Sequence, residues 1–311
     1  MKQPYKVKFY IWLIDTLSRK PMTYIEIEDA WVISSANEDM KPLTKRSFDR
    51  YKNEASMMFD LDFECNAADG YRYKVVRPND AKKGGALDWM VSAFRISNLA
   101  SKISKRNFIS LEAAPSGSEL LSVVIDAIDK KYSLSFTYQT YFKPAKEVSL
   151  IPAFVKLYKQ RWYVIGQVNK GEEKERTYAF ERISNVRLIE EKSYLSQKME
   201  EWLTPNNYFK DCFGIINRFE PLLIRIRAFA PQDKYIASVP IHASQKLVYE
   251  CKDYSDFELY VKPTYDFKQE LMWHRDNIAV LSPEPFRLEM IEMIEATLQG
   301  YKTGECYKID E

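Results

Sequence analysis

Between residues 161 and 182 the chain sets Arg161, Arg176 and Arg182 among Tyr163 and Tyr178, with Tyr138 upstream. Guanidinium groups form forked hydrogen bonds to phosphate, and aromatic rings give bases a flat surface to stack on. These residue types together suit a nucleotide, with stacking worth roughly 1–3 kcal/mol per base. Neighbours on a strand point to opposite faces. In RWYVIG (161–166), Trp162 and Val164 therefore share one face, and Arg161, Tyr163 and Ile165 the other. The same alternation sets Arg176, Tyr178, Phe180 and Arg182 on one side of their strand, as a half-exposed binding face would require. The competing reading makes Trp162 and the tyrosines core, pairs Glu181 with an arginine, and leaves the remaining charges solvated. Trp162 itself reads as core.

A second set of candidates lies upstream. Lys41, Lys45, Arg46, Arg50 and Lys52 face only Asp49 within residues 41–52, a local charge of +4. Thr44 stands just before the apolar stripe Phe48, Tyr51, Ala55, Met58 and Phe59, so the cations gather near a helix N-terminus, where the dipole also favours phosphate. Arg72 and Lys74 follow on a predicted hairpin. Three helices followed by a basic hairpin is the plan of a winged helix-turn-helix, whose third helix enters the major groove while the wing touches the backbone. On that plan Thr44, Lys45, Arg46, Ser47 and Arg50 reach operator DNA, and Arg72 and Lys74 hold phosphates. A small helical domain with a solvated basic face is the alternative.

Other chemistry finds little material. The 311 residues include two histidines, His242 and His274, and four widely spaced cysteines with no CxxC pair. No metal site and no cofactor is expected, and His242 reads as structural. There is no Gly-rich phosphate loop, no nucleophile elbow and no carboxylate pair on an obvious common face, so no enzymatic activity is expected. Apolar runs stay short of the ~18 residues that span a bilayer. The basic, apolar start MKQPYKVKFYIWLIDTLSRK is interrupted by Asp15 and reads as an amphipathic helix rather than a leader. A cytoplasmic protein with reduced thiols and no membrane partner is expected. The net charge of +2 does not argue for nucleic acid; the local distribution does.

The elements that must position these residues fall into four stretches. Residues 1–77 read as helix, helix, helix, hairpin. The first helix carries Val7, Ile11, Ile14 and Leu17 at helical spacing; Thr23 and Glu26 form a capping box for the second. Residues 78–118 open on the linker RPNDAKKGG and continue as a bent helix or two helices over 87–111. That segment is too short to fold alone, and a second subunit is one candidate for what it packs on. Residues 119–195 give a helix and five short strands, which imply a small antiparallel barrel. Residues 219–303 alternate β-α-β-β-α-β with a closing helix, as in a ferredoxin-like split βαβ unit. The fold class is thus α+β and multidomain.

At this point the chain resembles the WYL-domain transcriptional regulators of bacteria over essentially its whole length. The motif stands here as Trp162-Tyr163-Val164, with Val in place of the usual Leu, preceded by Ile151-Pro152 and Lys156. RTYAFERI (176–183) is similar to the family's arginine–aromatic–acid–Arg-Ile signature, with Glu181 for the commoner Asp and Ala179 where many members carry an arginine. PIHASQ (240–245), KPTYDF and LSPEPFR resemble the C-terminal extension called WCX. The resemblance implies a winged helix-turn-helix on operator DNA, an SH3/Sm-like barrel sensing a ligand through a basic surface, and an extension that assists dimerisation or sensing. Nucleic-acid fragments are the implied effector class.

The combined expectation is a homodimeric, ligand-responsive transcription factor. Its effector, a nucleotide or oligonucleotide, would meet Tyr138, Arg161, Tyr163, Arg176, Tyr178 and Arg182. Two alternatives stay open: an Sm-like RNA-binding protein without operator function, and a nucleic-acid-processing enzyme.

Overall fold

The computed structural model describes residues 3–37, 40–76, 91–94, 115–168 and 174–305. The predicted helices of 87–111 and the linker before them lie outside the described residues, save 91–94, which are helical. The chain divides into two compact units, Met1–Glu112 and Ala113–Glu311.

The first unit contains α1 (Gln3–Arg19), α2 (Tyr24–Val32), α3 (Lys45–Phe59) and an antiparallel hairpin of β1 (Asp62–Asn66) and β2 (Arg72–Val76). The capping box is present: Thr23 accepts from the Glu26 amide while Glu26 accepts from the Thr23 amide. Helix α1 is not the one-sided amphipathic helix its spacing suggests. Every residue from Phe9 to Asp15 is buried. Phe9, Trp12 and Leu13 pack with Trp31 of α2 and with Phe48 and Tyr51 of α3, while Ile11 and Ile14 meet Leu61 and Val91. A helix apolar around its whole circumference is a central one. On α3, Phe48, Tyr51 and Ala55 are buried as expected, but Met58 is exposed. The hairpin turns through Gly70 at φ +65. A bridge between Met22 and Tyr73, with reciprocal amide-to-carbonyl bonds of 3.1 and 2.7 Å, ties β2 to the turn before α2.

The second unit begins with α4 (Leu121–Lys130). Five antiparallel strands follow: β3 (Tyr132–Tyr138), β4 (Lys146–Tyr158), β5 (Arg161–Val168), β6 (Glu175–Ala179) and β7 (Ile183–Lys192). Their order in the sheet is β6-β5-β4-β3-β7. Val124 and Ala127 of α4 cover one face with Phe136, Leu150 and Val164. Tyr163, Ile165 and Phe154 on the other face pack on Met199 of α5 (Gln197–Trp202) and Tyr208 of α6 (Pro205–Tyr208). The alternation read from RWYVIG thus holds, with Trp162 and Val164 in one cluster and Tyr163 and Ile165 in the other.

The expected closed barrel is corrected. The edge strands β6 and β7 do not pair with each other among the described residues. They are nevertheless joined by only three residues, the 3₁₀ turn Phe180–Arg182. A flat sheet would hold its edge strands four spacings apart, about 19 Å, whereas a 3₁₀ turn rises only ~2 Å per residue. The sheet must therefore curl strongly, and register shifts in β4 at Pro152/Phe154 and twice between β3 and β7 supply bends.

The chain then forms β8 (Leu222–Phe229), α7 (Gln232–Ser238), β9 (Lys246–Glu250), β10 (Tyr254–Val261), α8 (Tyr265–Trp273), β11 (Ile278–Ser282) and α9 (Glu284–Thr303). The expected β-α-β-β-α-β alternation is present, in an antiparallel sheet of order β11-β8-β10-β9. Ile224, Ile226, Phe257 and Leu259 from the two central strands pack on Ile236 of α7, Phe267 of α8 and Phe286 of α9. No helix among the described residues is long and apolar enough to cross a membrane.

Candidate functional site

A cavity of about 570 Å³ opens on the five-stranded sheet of the second unit. Tyr138 at the end of β3, Tyr163 of β5, Arg176 of β6 and Arg182 of the 3₁₀ turn all line it. Four of the six residues predicted to meet an effector are thus brought together. Thr177 and Ala179 form the floor between them.

The other two predicted residues are placed elsewhere. Tyr178 points away from the cavity and is buried with Phe180 in the core beneath α4. The predicted half-exposed binding face of Arg176, Tyr178, Phe180 and Arg182 is therefore corrected. Tyr178 lies opposite Val164 and two residues from Arg176, so the strand keeps the alternation, but at Tyr178 and Phe180 that face is core, and Arg182 stands on the 3₁₀ turn after the strand ends. Tyr178 acts as a backing: its ring meets that of Tyr138 edge-on at 4.8 Å. Arg161 does not line the cavity; its Nε lies 3.6 Å from Glu181 Oε1 at an exposed edge.

The cavity is electropositive. Arg176, Arg182 and Arg218 line it against one acid, Glu175. The Arg176 guanidinium donates to the Glu175 carbonyl at 3.0 Å and is otherwise directed to solvent. Arg182 lies over the Tyr141 ring at 4.1 Å, which stiffens its fork. Its Nε is buried without a hydrogen-bond acceptor among the described residues; the nearest carboxylate, Glu181, is 4.0 Å away. A buried donor left open costs free energy unless a ligand supplies the acceptor. Burial raises the Tyr163 phenol above its ordinary pKa, so it stays a neutral donor that an anion can use. The Tyr138 hydroxyl accepts from the Ala179 amide at 3.4 Å, which leaves its proton free to donate. Open guanidiniums and neutral phenols around an electropositive hollow can bind a phosphate-bearing anion.

The opposite wall was not foreseen. It comes from Tyr208 and from Ile215, Ile216, Asn217 and Arg218, in the stretch between the two predicted domains. The wall is anchored from three directions. Lys156 Nζ of β4 donates to the Gly214 carbonyl at 2.5 Å. Asp266 Oδ2 at the start of α8 accepts from the amides of Ile215 and Ile216 at 2.9 and 3.1 Å. Lys262 Nζ reaches Asn217 Oδ1 at 2.6 Å, while Asn217 Nδ2 donates to the Tyr208 carbonyl at 2.8 Å. Gly214 makes this geometry possible. Its φ is +85, and a Cβ there would lie 2.6 and 2.7 Å from Cβ and Cγ of Asp266. The available signal was this glycine in CFGIINR, but its partners lie tens of residues away.

In the first unit the basic candidates divide. Thr44 caps α3 by accepting from the Ser47 amide, and the two hydroxyls meet at 2.9 Å. Lys45 is exposed but lies across a cluster of rings: its Nζ is 4.7–5.1 Å from the ring centroids of Tyr24, Phe48 and Tyr73, donating to Asp49 and to the Tyr73 hydroxyl. Arg72 makes two bonds to Glu26, at 2.8 and 3.1 Å, so the capping-box acid also ties the hairpin to α2. Lys74 pairs with Glu64 across the hairpin at 3.1 Å. Arg50 lies over the Tyr51 ring and within 3.9 Å of Glu54. Arg46 is exposed and pairs with no acid among the described residues. Outside both sets, His242 is held by Ser244 at 2.8 Å in the turn before β9, in keeping with a structural histidine.

The curled sheet, its covering helix and the cavity-lining strands fall within one family match. Residues 119–188 match the model of the WYL domain. This chain carries a WYL domain. Of the WYL cavity, Tyr138 through Arg182 lie inside the match, and the wall from Tyr208 to Arg218 lies beyond it. No curated protein matches the chain. Among solved structures it is similar to the proteasome accessory factor B/C (PafBC) of Arthrobacter aurescens, at 12% identity and a TM-score of 0.39, covering 98% of this chain and 48% of that one. It is also similar to a CRISPR Cas-related protein, at 13% identity and a TM-score of 0.39, covering 96% of this chain and 92% of that one. The chain spans about half the length of the PafBC chain. Similarity this distant carries no functional argument.

Proposed function

We propose that this protein is a ligand-responsive, DNA-binding transcriptional regulator whose WYL domain senses a nucleotide or nucleic-acid-like anion. The observation that carries the reading is the cavity on the WYL sheet, where Arg176 and Arg182 stand beside Tyr138 and Tyr163 and the buried Arg182 Nε has no acceptor among the described residues. Its volume lies in the range that encloses small-molecule ligands, ~300–1,000 Å³.

In this reading residues 1–77 form a winged helix-turn-helix on operator DNA, 78–118 link it to the sensor, and 219–303 form a WCX-like, ferredoxin-like extension. The protein acts as a homodimer, with half-sites one helical turn, ~34 Å, apart. Arg46 is the foremost DNA contact, with Arg50 beside it. Lys45 and Arg72 hold the hairpin against the helices and Lys74 ties its two strands together, so these three shape the reading surface rather than touch bases. Signalling requires an effector that prefers one conformation of the dimer, since equal affinity for both shifts nothing.

The test has two arms. Footprinting and anisotropy on DNA upstream of the protein's own gene should give a protected site, and Arg46→Ala should lose about 1–3 kcal/mol of specific binding. A short single-stranded oligonucleotide or a mononucleotide should alter that affinity in the wild type but not in Arg176→Ala or Arg182→Ala. An effector response that survives both substitutions refutes the sensor assignment, and absence of any protected site refutes the regulator.

A further inference from the structure

The wall formed by residues 208–218 sits outside the WYL match, yet it closes the cavity and bears its third arginine. We propose that Arg218 is an effector-binding residue, and that Asp266 is the positioning residue that holds Arg218's wall in place. The inference rests on the anion-sensing reading of the cavity and adds to it a half of the site that belongs to another part of the chain.

Three observations carry it. First, Arg218 lines the cavity together with Arg176 and Arg182, is exposed, and has no acidic partner among the described residues. Three cationic forks on two walls fit a phosphate between them better than one wall could, because each fork directs its donors in a fixed plane. Second, the wall is built rather than loose. Three successive backbone groups are held by side chains: Lys156 takes the Gly214 carbonyl, and one oxygen of the nearly buried Asp266 takes the Ile215 and Ile216 amides. Bonds to an ionised group are the stronger kind. Third, the anchors on one side, Lys262 and Asp266, flank the turn from β10 into α8. The side chains that fix this side of the wall are therefore rooted where β10 leaves the four-stranded sheet, and a ligand that draws Arg218 inward pulls on that turn. The wall couples the WYL cavity to the C-terminal half.

The experiment uses the full-length protein and a fluorescent single-stranded oligodeoxythymidylate as probe, with AMP as competitor. Arg218→Ala should weaken probe binding roughly tenfold or more, as loss of a charge-assisted contact does, and should lower the salt slope by about one. Its thermal midpoint should match the wild type. Asp266→Asn should also weaken binding, and combining it with Arg218→Ala should give far less than the product of the two effects, whereas combining it with Arg176→Ala should give the product. A purely structural Asp266 would lower the midpoint and show no such selective coupling. Wild-type affinity in Arg218→Ala, with binding lost in Arg182→Ala, overturns this inference and leaves the sensor reading standing. Failure of the wild type to bind either anion, or binding indifferent to Arg182→Ala, overturns the sensor reading and this inference with it.

Discussion

Gly214→Ala is the sharpest probe of how the cavity wall is held. At φ +85 an alanine pays the left-handed penalty, about 1–2 kcal/mol. The new methyl would also sit 2.6 Å from Asp266 Cβ and 2.7 Å from Cγ, with Oδ2 nearer still. Relieving that overlap moves either the wall or the carboxylate, at about 1–3 kcal/mol by analogy with overpacked cores. Together the expected loss is roughly 2–5 kcal/mol, a large share of a domain's stability. Asp266→Gly removes all three clashing atoms. In that background Gly214→Ala should cost only the backbone term, so the double-mutant cycle should return a coupling near the overpacking term. Urea unfolding gives the energies, and hydrogen exchange reports locally: the Ile215 and Ile216 amides, bonded to Asp266, should exchange faster in either variant. If Gly214→Ala loses under 0.5 kcal/mol by the standard of ordinary surface changes, or if the cycle is additive, the account of the wall is wrong.

Three further outcomes follow from the same geometry. Lys45→Met should destabilise the first unit by about 1 kcal/mol, since its ammonium sits among three rings near the surface, while Arg46→Ala should leave stability unchanged and weaken DNA binding; the opposite pattern in chemical denaturation and anisotropy would return Lys45 to the DNA. Burial pushes the Lys156 ammonium down to about 8, while the unfolded chain keeps it protonated up to ~10.4. Between those values the unfolded state holds more protons, so the cost of burying this charge is fully present below pH 8 and is relieved as pH rises; the stability of wild type minus Lys156→Met should climb from pH 8 to 10, and a flat difference contradicts the burial. Thr44→Ala should cost about 1 kcal/mol through the lost cap on α3, with little change in the salt slope of DNA binding; a slope reduced by one would make Thr44 a phosphate contact instead.

What the sequence revealed was local. The Thr23–Glu26 box, the Thr44 cap and the alternation of Trp162/Val164 against Tyr163/Ile165 depend on residues a few positions apart, and each is present. The order of elements in the C-terminal sheet followed from the same short-range patterns. Where long-range geometry decides, the pattern misled. Strand alternation could not show that the face shared by Arg176 and Tyr178 is core at Tyr178, opposite Val164, or that a 3₁₀ turn at Phe180–Arg182 ends β6 and brings Arg182 to the cavity. A count of lysines and arginines could not show that Lys45 folds back onto aromatic rings or that Arg72 is claimed by Glu26, 46 residues away. The wall of 208–218 was silent for the same reason: Lys156, Lys262 and Asp266 reach it from 45 to 58 residues away, a spacing that carries no periodic signal.

The central claim is that the WYL cavity holds an anion between guanidiniums and phenols. Isothermal titration of the wild type and of the double variant Arg176→Ala/Arg182→Ala with a short single-stranded oligonucleotide, each at two salt concentrations, tests it directly. The account predicts saturable binding by the wild type that weakens with salt, and loss of that binding in the double variant. Equal affinity in both proteins would place the ligand elsewhere and contradict it.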